Sequence, residues 1–325
     1  MTKRYSEFDV LRAIALAMIL ACHFIQRIGF YKLDVPFGSV GNMIFFTMSG
    51  WLLGFGWNNK GFPAYGMRFL EHRLLRLAVP LWLFAIPYML WLNVSGHYPL
   101  AIRDVILNLA LLNWFARLPG MTPYWFITAI SLFYLIVMVL SRIRLVPRNR
   151  MIVGGGVIAI CMVAQLLLSV LGIPQGYIFI MTGCGLACFL NADNIYKCSI
   201  RMTDKPFATL VIVCMSLLLF WFLTWKGTLL SGTPLCYWAS IPIAASIVIL
   251  AFSIKLKESA KRVLEYISAI SYEVYLVHSA MLLFLRPVTN NNSLYLLLFL
   301  LFSTILGVVL HELGKRVILF REKYQ

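Results

Sequence analysis

The sequence predicts an all-α integral membrane protein of about ten transmembrane helices, and three observations predict it. The chain is 61% hydrophobic and only 12% charged, against roughly 25% charged residues in ordinary soluble domains, so 325 residues cannot clothe a soluble body. Ten apolar runs approach the ~20 residues that a spanning helix needs. Lysine and arginine gather in alternate connections between those runs. A soluble enzyme, a disordered chain and a coiled coil are excluded by the same composition.

The runs fall at about 9–28, 39–57, 76–93, 122–141, 151–171, 174–191, 206–225, 236–254, 268–286 and 294–313. Lys3 and Arg4 precede the first, and Ile19-Leu20-Ala21-Cys22 faintly resembles a lipoprotein cleavage site. Arg12 interrupts the run and apolar character continues to Ile28, so an uncleaved span is expected. Between the third and fourth runs, Asp104–Phe115 is too brief to span and predicts a short re-entrant or interfacial helix near 104–115. Seven cysteines, with Cys22, Cys161, Cys184, Cys188 and Cys214 inside apolar runs, read as small core residues rather than a disulfide framework. With no repeat and no long polar insert, residues 1–325 are expected to form one transmembrane domain.

Ten spans place both termini on one side. If that side is the cytoplasm, 21 of the 28 lysines and arginines fall in inside segments and six in outside ones, with Arg12 inside a span. That asymmetry predicts an N-in, C-in topology in a plasma membrane. The net charge of +16 is therefore a topology signal, and nucleic acid is not an expected partner.

Ionisable groups within spans are expensive and mark function by default. Arg12 and His23 lie 11 residues apart in the first run. Eleven steps of about 100° close to within roughly 20° of three full turns, so both share one face, about 16 Å apart along the axis. Asp9 precedes Arg12 by three residues, placed to cap the helix or pair with it. A second constellation is Arg68, Glu71, His72, Arg73 and Arg76, leading to Pro80. Arginine's planar fork suits phosphate, but from this segment alone positive-inside anchoring is the better reading, and the phosphate reading gains weight only beside the first-run pair. A third is Ser271-Tyr272-Glu273-Val-Tyr275-Leu-Val-His278. Tyr275 and His278 share a face there, whereas Glu273 and His278 do not quite, and a structural histidine is as good a reading as an active one. Ser49-Gly50 reads first as a close helix approach and Tyr124-Trp125 as an interfacial aromatic belt. His311-Glu312 is too isolated to build a metal site, and no metal is expected.

In order along the chain, several patterns resemble the acyltransferase 3 family of membrane-bound O-acyltransferases. They are Phe8-Asp9-x-Leu-Arg12-Ala-Ile-Ala with His23 ten residues beyond Arg12; Phe45-Phe46-x-x-Ser49-Gly50; Arg73-x-x-Arg76 leading to Pro80; Trp125-Phe126 with Phe133-Tyr134-Leu135; and Ser271-Tyr272-x-x-Tyr275-Leu-x-His278. The resemblance covers about residues 5–315 and is closest in length to stand-alone O-antigen or surface-polysaccharide acetylases. It implies transfer of an acetyl or other short acyl group from cytoplasmic acetyl-CoA to a hydroxyl of a cell-surface glycan or its lipid-linked precursor, in a bacterial inner membrane. On that resemblance His23 is the general base, Arg12 supports it from the same stripe with Asp9 beside it, and Arg73 and Arg76 engage the CoA phosphates. Arg68, Ser49 and Trp125 join the donor-binding set, and Ser271, Tyr275 and His278 line the donor or acceptor path. A glutamate found in some members after Trp-Phe is replaced by Ile127-Thr128-Ala129-Ile130; its role is then absent or falls to Glu273. The segment around 94–121 is the natural acceptor loop. No C-terminal extracytoplasmic domain is expected, and homo-oligomer formation is left open. The competing reading is a transporter or flippase for a glycan or lipid, which also keeps ionisable residues in spans; a receptor with purely structural polar residues is the third.

Overall fold

Apolar segments bounded by Pro, Gly and polar clusters have one way to satisfy their backbone away from water, the intrasegment hydrogen bonds of a helix. A computed structural model describes residues 5–30, 34–60, 65–116, 118–143, 147–173, 176–225, 233–254 and 256–324. The helices are α1 (Ser6–Arg27), α2 (Asp34–Lys60), α3 (Met67–Val94), α4 (Ile102–Leu109), α5 (Trp125–Leu140), α6 (Pro147–Val170), α7 (Tyr177–Leu190), α8 (Ala192–Thr203), α9 (Pro206–Trp225), α10 (Pro234–Ser253), α11 (Glu258–Leu285) and α12 (Asn292–Tyr324). A 3₁₀ turn, Thr122–Tyr124, introduces α5, and no strand occurs among the described residues. Lys3, Arg4, Lys32, Arg117, Arg144, Lys226 and Lys255, which enter the charge asymmetry, lie outside those residues.

Seven helices among the described residues are long and apolar enough to cross a membrane, and eight if the bent pair α7–α8 forms one span. Each of the ten apolar runs falls on a helix, and seven of those helices meet the length and composition of a span. The run at 39–57 forms α2, whose five glycines and whose Asn42, Thr47 and Ser49 dilute its apolar character. The run at 174–191 yields only the 14 residues of α7 before the chain turns by 87° into α8. The run at 206–225 forms α9, 20 residues from Pro206 to Trp225. The helix expected over 104–115 stops at Leu109. Beyond it Leu111 adopts φ 62°, and the side-chain amides of Asn108 and Asn113 take over the hydrogen bonding. Asn108 Nδ2 donates to the Asp104 and Ala116 carbonyls (2.8 and 3.2 Å), and Asn113 Nδ2 donates to Asn108 Oδ1 (2.7 Å). Thr128 of α5 anchors the turn by donating to the Leu111 carbonyl at 2.9 Å.

The chain divides into two compact units, Met1–Ala64 with Val139–Ser268, and Tyr65–Met138 with Ala269–Gln325. In the first unit α2 packs against α1, α7 and α10. α1 contributes a buried stripe of Phe8, Leu11, Ala15, Ile19 and Cys22. Gly50 sets the α2–α7 spacing, because a Cβ there would overlap the Gly185 carbonyl oxygen; small residues at such crossings let helices approach closely. Trp51 Nε1 donates to the Ala192 carbonyl at 2.9 Å, fastening the α7–α8 bend to α2. Of the cysteines expected in the core, Cys22 and Cys184 are buried and Cys161 and Cys188 half-buried, whereas Cys214 is exposed on α9.

In the second unit α3, α5, α11 and α12 surround a core that includes Leu81, Tyr88, Leu92, Tyr124, Leu276 and Ala280. Two reciprocal bonds tie the entry of α5 to α11. The Tyr124 hydroxyl donates to the Leu276 carbonyl, and the Tyr275 hydroxyl donates to the Pro123 carbonyl. α12 lies close on α11 because Gly307 stands where a Cβ would come within 3.0 Å of the Val274 backbone nitrogen.

Candidate active site

The first unit carries the Arg12–His23 helix. α1 runs unbroken from Ser6 to Arg27, so the predicted common face and the separation of about 16 Å hold. Asp9 is buried and lies 3.9 Å from the Arg12 guanidinium. Arg12 also donates to Ser268 Oγ at 2.5 Å. A half-buried arginine thus has a carboxylate on its own helix and a hydroxyl on α11 to fix its direction. His23 is half-buried, and its Nδ1 is 2.9 Å from Gln26 Oε1 one turn on. With Nδ1 as the donor to that carboxamide oxygen, the lone pair of the neutral ring is on Nε2.

The second unit carries the arginine-rich face. The first turns of α3 and the last turns of α12 line an open cavity of about 580 Å³. Arg68, Glu71, His72 and Arg76 face it from α3 and Arg321 from α12. Glu71 and Arg321 form an ion pair across it. Arg73 is not part of this lining. Its guanidinium lies over the Phe69 ring at 5.6 Å and the Tyr134 ring at 5.7 Å. Tyr65 completes the aromatic wall, its ring 4.7 Å from Phe69, and burial pushes its phenol up to about 12 although the Arg73 charge pulls it down. Arg73 and Arg76, expected to act as a pair on phosphate, thus have different surroundings, and Arg68 and Arg76 share the cavity instead.

The third constellation also separates. His278 is fully buried, with Nδ1 donating to the Tyr275 carbonyl at 2.5 Å and its ring 5.4 Å from that of Tyr275. The Tyr275 hydroxyl is committed to Pro123, and Ser271 is buried. Glu273 turns to α12, where Oε1 lies 3.2 Å from His311 Nδ1, while its Oε2 has no hydrogen-bond partner among the described residues. Ser49 sits beside the Gly50 crossing in α2, half-buried, and Trp125 is half-buried with its ring 6.2 Å from Phe126. Among the described residues no group of three or more His, Cys, Asp and Glu is placed to hold a metal.

Sequence reasoning did not single out Ser268, Arg321 or the His311 contact. Ser268 meets Arg12 across 256 positions and Arg321 meets Glu71 across 250, separations that no local spacing encodes. The close approach at Gly307, one turn before His311, was the available signal.

These features define a multi-pass, all-helical membrane protein with ionisable side chains built into its apolar helices. The acyltransferase 3 family model, an acyltransferase domain, matches residues 5–312, and the chain belongs to that family. It is an acyltransferase by that membership. No curated protein and no solved structure matches the chain.

Proposed function

We propose that the protein is an O-acyltransferase that moves an acetyl or other short acyl group from CoA to a hydroxyl of a cell-surface glycan or its lipid-linked precursor. The observation that carries the reading is His23, whose Nδ1 lies 2.9 Å from Gln26 Oε1 on the helix that also bears Arg12. Nε2 takes the proton of the acceptor hydroxyl as that oxygen attacks the thioester carbonyl. Collapse of the tetrahedral intermediate forms the ester and breaks the C–S bond. The CoA sulfur leaves as the thiol, carrying the proton that the imidazolium returns. Arg12, oriented by Asp9 and Ser268, is a positioning and electrostatic residue on the same stripe. Arg68 and Arg76 take the anionic half of the donor in the α3–α12 cavity. The basic asymmetry supports placing that cavity on the cytoplasmic side of a bacterial inner membrane with both termini inside. A transporter of the inverted-repeat kind would show broken helices in paired halves, and the described residues contain a single bent pair.

The test is acetyl-CoA binding and slow thioester hydrolysis by the purified protein in lipid nanodiscs, wild type beside His23→Ala. Wild type is expected to bind and hydrolyse, and His23→Ala to bind without turnover. A folded His23→Ala variant with full hydrolysis removes the histidine from the chemistry. A folded wild type with no affinity for acetyl-CoA removes CoA from the reaction and returns transport to the front.

A further inference from the structure

The cavity between α3 and α12 is unbalanced in charge. Three guanidinium groups, from Arg68, Arg76 and Arg321, and the imidazole of His72 face it, against the one carboxylate of Glu71. The three-four alternation of α3 puts Arg68, Glu71, His72 and Arg76 on one face, and Val79 and Val317 wall the cavity with apolar surface. A volume of about 580 Å³ lies within the range of small-molecule sites. The Glu71 carboxylate lies on Arg321, with the two side chains 53% and 37% exposed. An ion pair that exposed contributes little, because water and salt screen it. A phosphate, with its higher charge and its oxygens matched to the guanidinium fork, forms stronger bonds to the same group.

We propose that Glu71 is an internal stand-in for a ligand phosphate: it holds Arg321 in the cavity when the site is empty, and a phosphate of the acyl donor displaces it to be clamped by Arg321 from α12 and by Arg68 and Arg76 from α3. The proposal rests on the acyl-CoA reading above. It assigns to the last turns of α12 a binding residue, and to Glu71 a competing anion that lowers affinity for the donor. Release of Glu71 into solvent accompanies binding, and its return accompanies departure of CoA.

The experiment measures binding of 3′,5′-ADP, the anionic half of CoA, and of acetyl-CoA to the full chain in phosphatidylcholine nanodiscs. Glu71→Gln removes the competitor and is expected to tighten 3′,5′-ADP binding about threefold to fivefold. A gain of affinity cannot come from misfolding. Arg321→Ala is expected to weaken binding about tenfold, and in the Arg321→Ala background Glu71→Gln is expected to have no further effect. Equal affinities for wild type, Glu71→Gln and Arg321→Ala, with acetyl-CoA still bound, overturn this inference and leave the acyltransferase reading standing. Loss of acetyl-CoA binding in wild type itself overturns both. Repeating the titration in discs containing phosphatidylglycerol separates the two sources of phosphate. If the anionic lipid abolishes 3′,5′-ADP binding, and does so more strongly in Glu71→Gln, the cavity belongs to a lipid headgroup and the donor assignment falls.

Discussion

Replacing Arg73 and Arg76 one at a time separates two functions that an Arg-x-x-Arg pair would otherwise share. Arg76 faces the α3–α12 cavity, and its expected partner is a phosphate oxygen. Truncation to alanine removes charge-assisted hydrogen bonds of about 1.5–3 kcal/mol, which is roughly a tenfold to hundredfold rise in the Kd for acetyl-CoA. Arg73 instead rests on Phe69 and Tyr134 at 5.6 and 5.7 Å. Each such contact at a half-buried site contributes about 0.5–1 kcal/mol, so Arg73→Ala is expected to lose about 1–2 kcal/mol of stability, with the Kd unchanged within about threefold. The assay is calorimetric titration of acetyl-CoA into nanodisc-embedded protein, with a thermal unfolding scan of each variant. Arg76→Ala should bind weakly and melt normally, and Arg73→Ala should bind normally and melt early. The reasoning is refuted if Arg73→Ala weakens binding as much as Arg76→Ala while its unfolding midpoint stays at the wild-type value.

Three further outcomes follow from the packing. Gly50→Ala forces a methyl group into the Gly185 carbonyl oxygen, a backbone atom that cannot swing aside, so a loss at the upper end of the ~1–3 kcal/mol range for overpacking is expected; wild-type yield and midpoint would show that α2 and α7 are not in such close contact. Tyr124→Phe and Tyr275→Phe each delete one of the buried phenol–carbonyl bonds between the entry of α5 and α11 and should each cost about 1 kcal/mol, with turnover per folded molecule retained; a tenfold fall in turnover at full stability in Tyr275→Phe would make its hydroxyl a participant in the chemistry. His311→Leu leaves the buried Glu273 carboxylate without its partner at about 1–3 kcal/mol, and adding Glu273→Gln should restore part of the loss; strictly additive losses would show that the two side chains are not coupled.

Much of the architecture was legible because apolar runs and their breakers act locally. Runs near 9–28, 76–93, 122–141 and 294–313 became the apolar cores of α1, α3, α5 and α12. The stripe joining Arg12 and His23 was legible because α1 is an unbroken helix, and helical period alone relates its residues. The runs at 39–57 and 174–191 depart from an uninterrupted apolar span for physical reasons. In α2, glycines favour close packing at the expense of apolar area. At Asn191 the amide donates to the Ala187 and Arg150 carbonyls at 3.0 Å each, which competes with continuation of the helix.

The division of labour at residues 68–76 could not be read the same way. Three residues on a helix separate Arg73 from Arg76 by about 60° around the axis, enough to aim them at different neighbours. Period fixes that angle; it does not say what stands opposite either side chain. Arg73 meets Tyr134, which α5 brings from 61 positions away, and the cavity beside Arg76 is completed by α12 through Arg321. The guanidinium over aromatic rings is held in place, and the ones around the cavity face water and Glu71. On the proposed donor reading, an anionic donor gains most from the charges it can reach without dismantling a packed contact, and the tertiary neighbours of α3 then select the binding set. Arg68, Arg76 and Arg321 satisfy that condition. Arg73 does not, although the motif names it first.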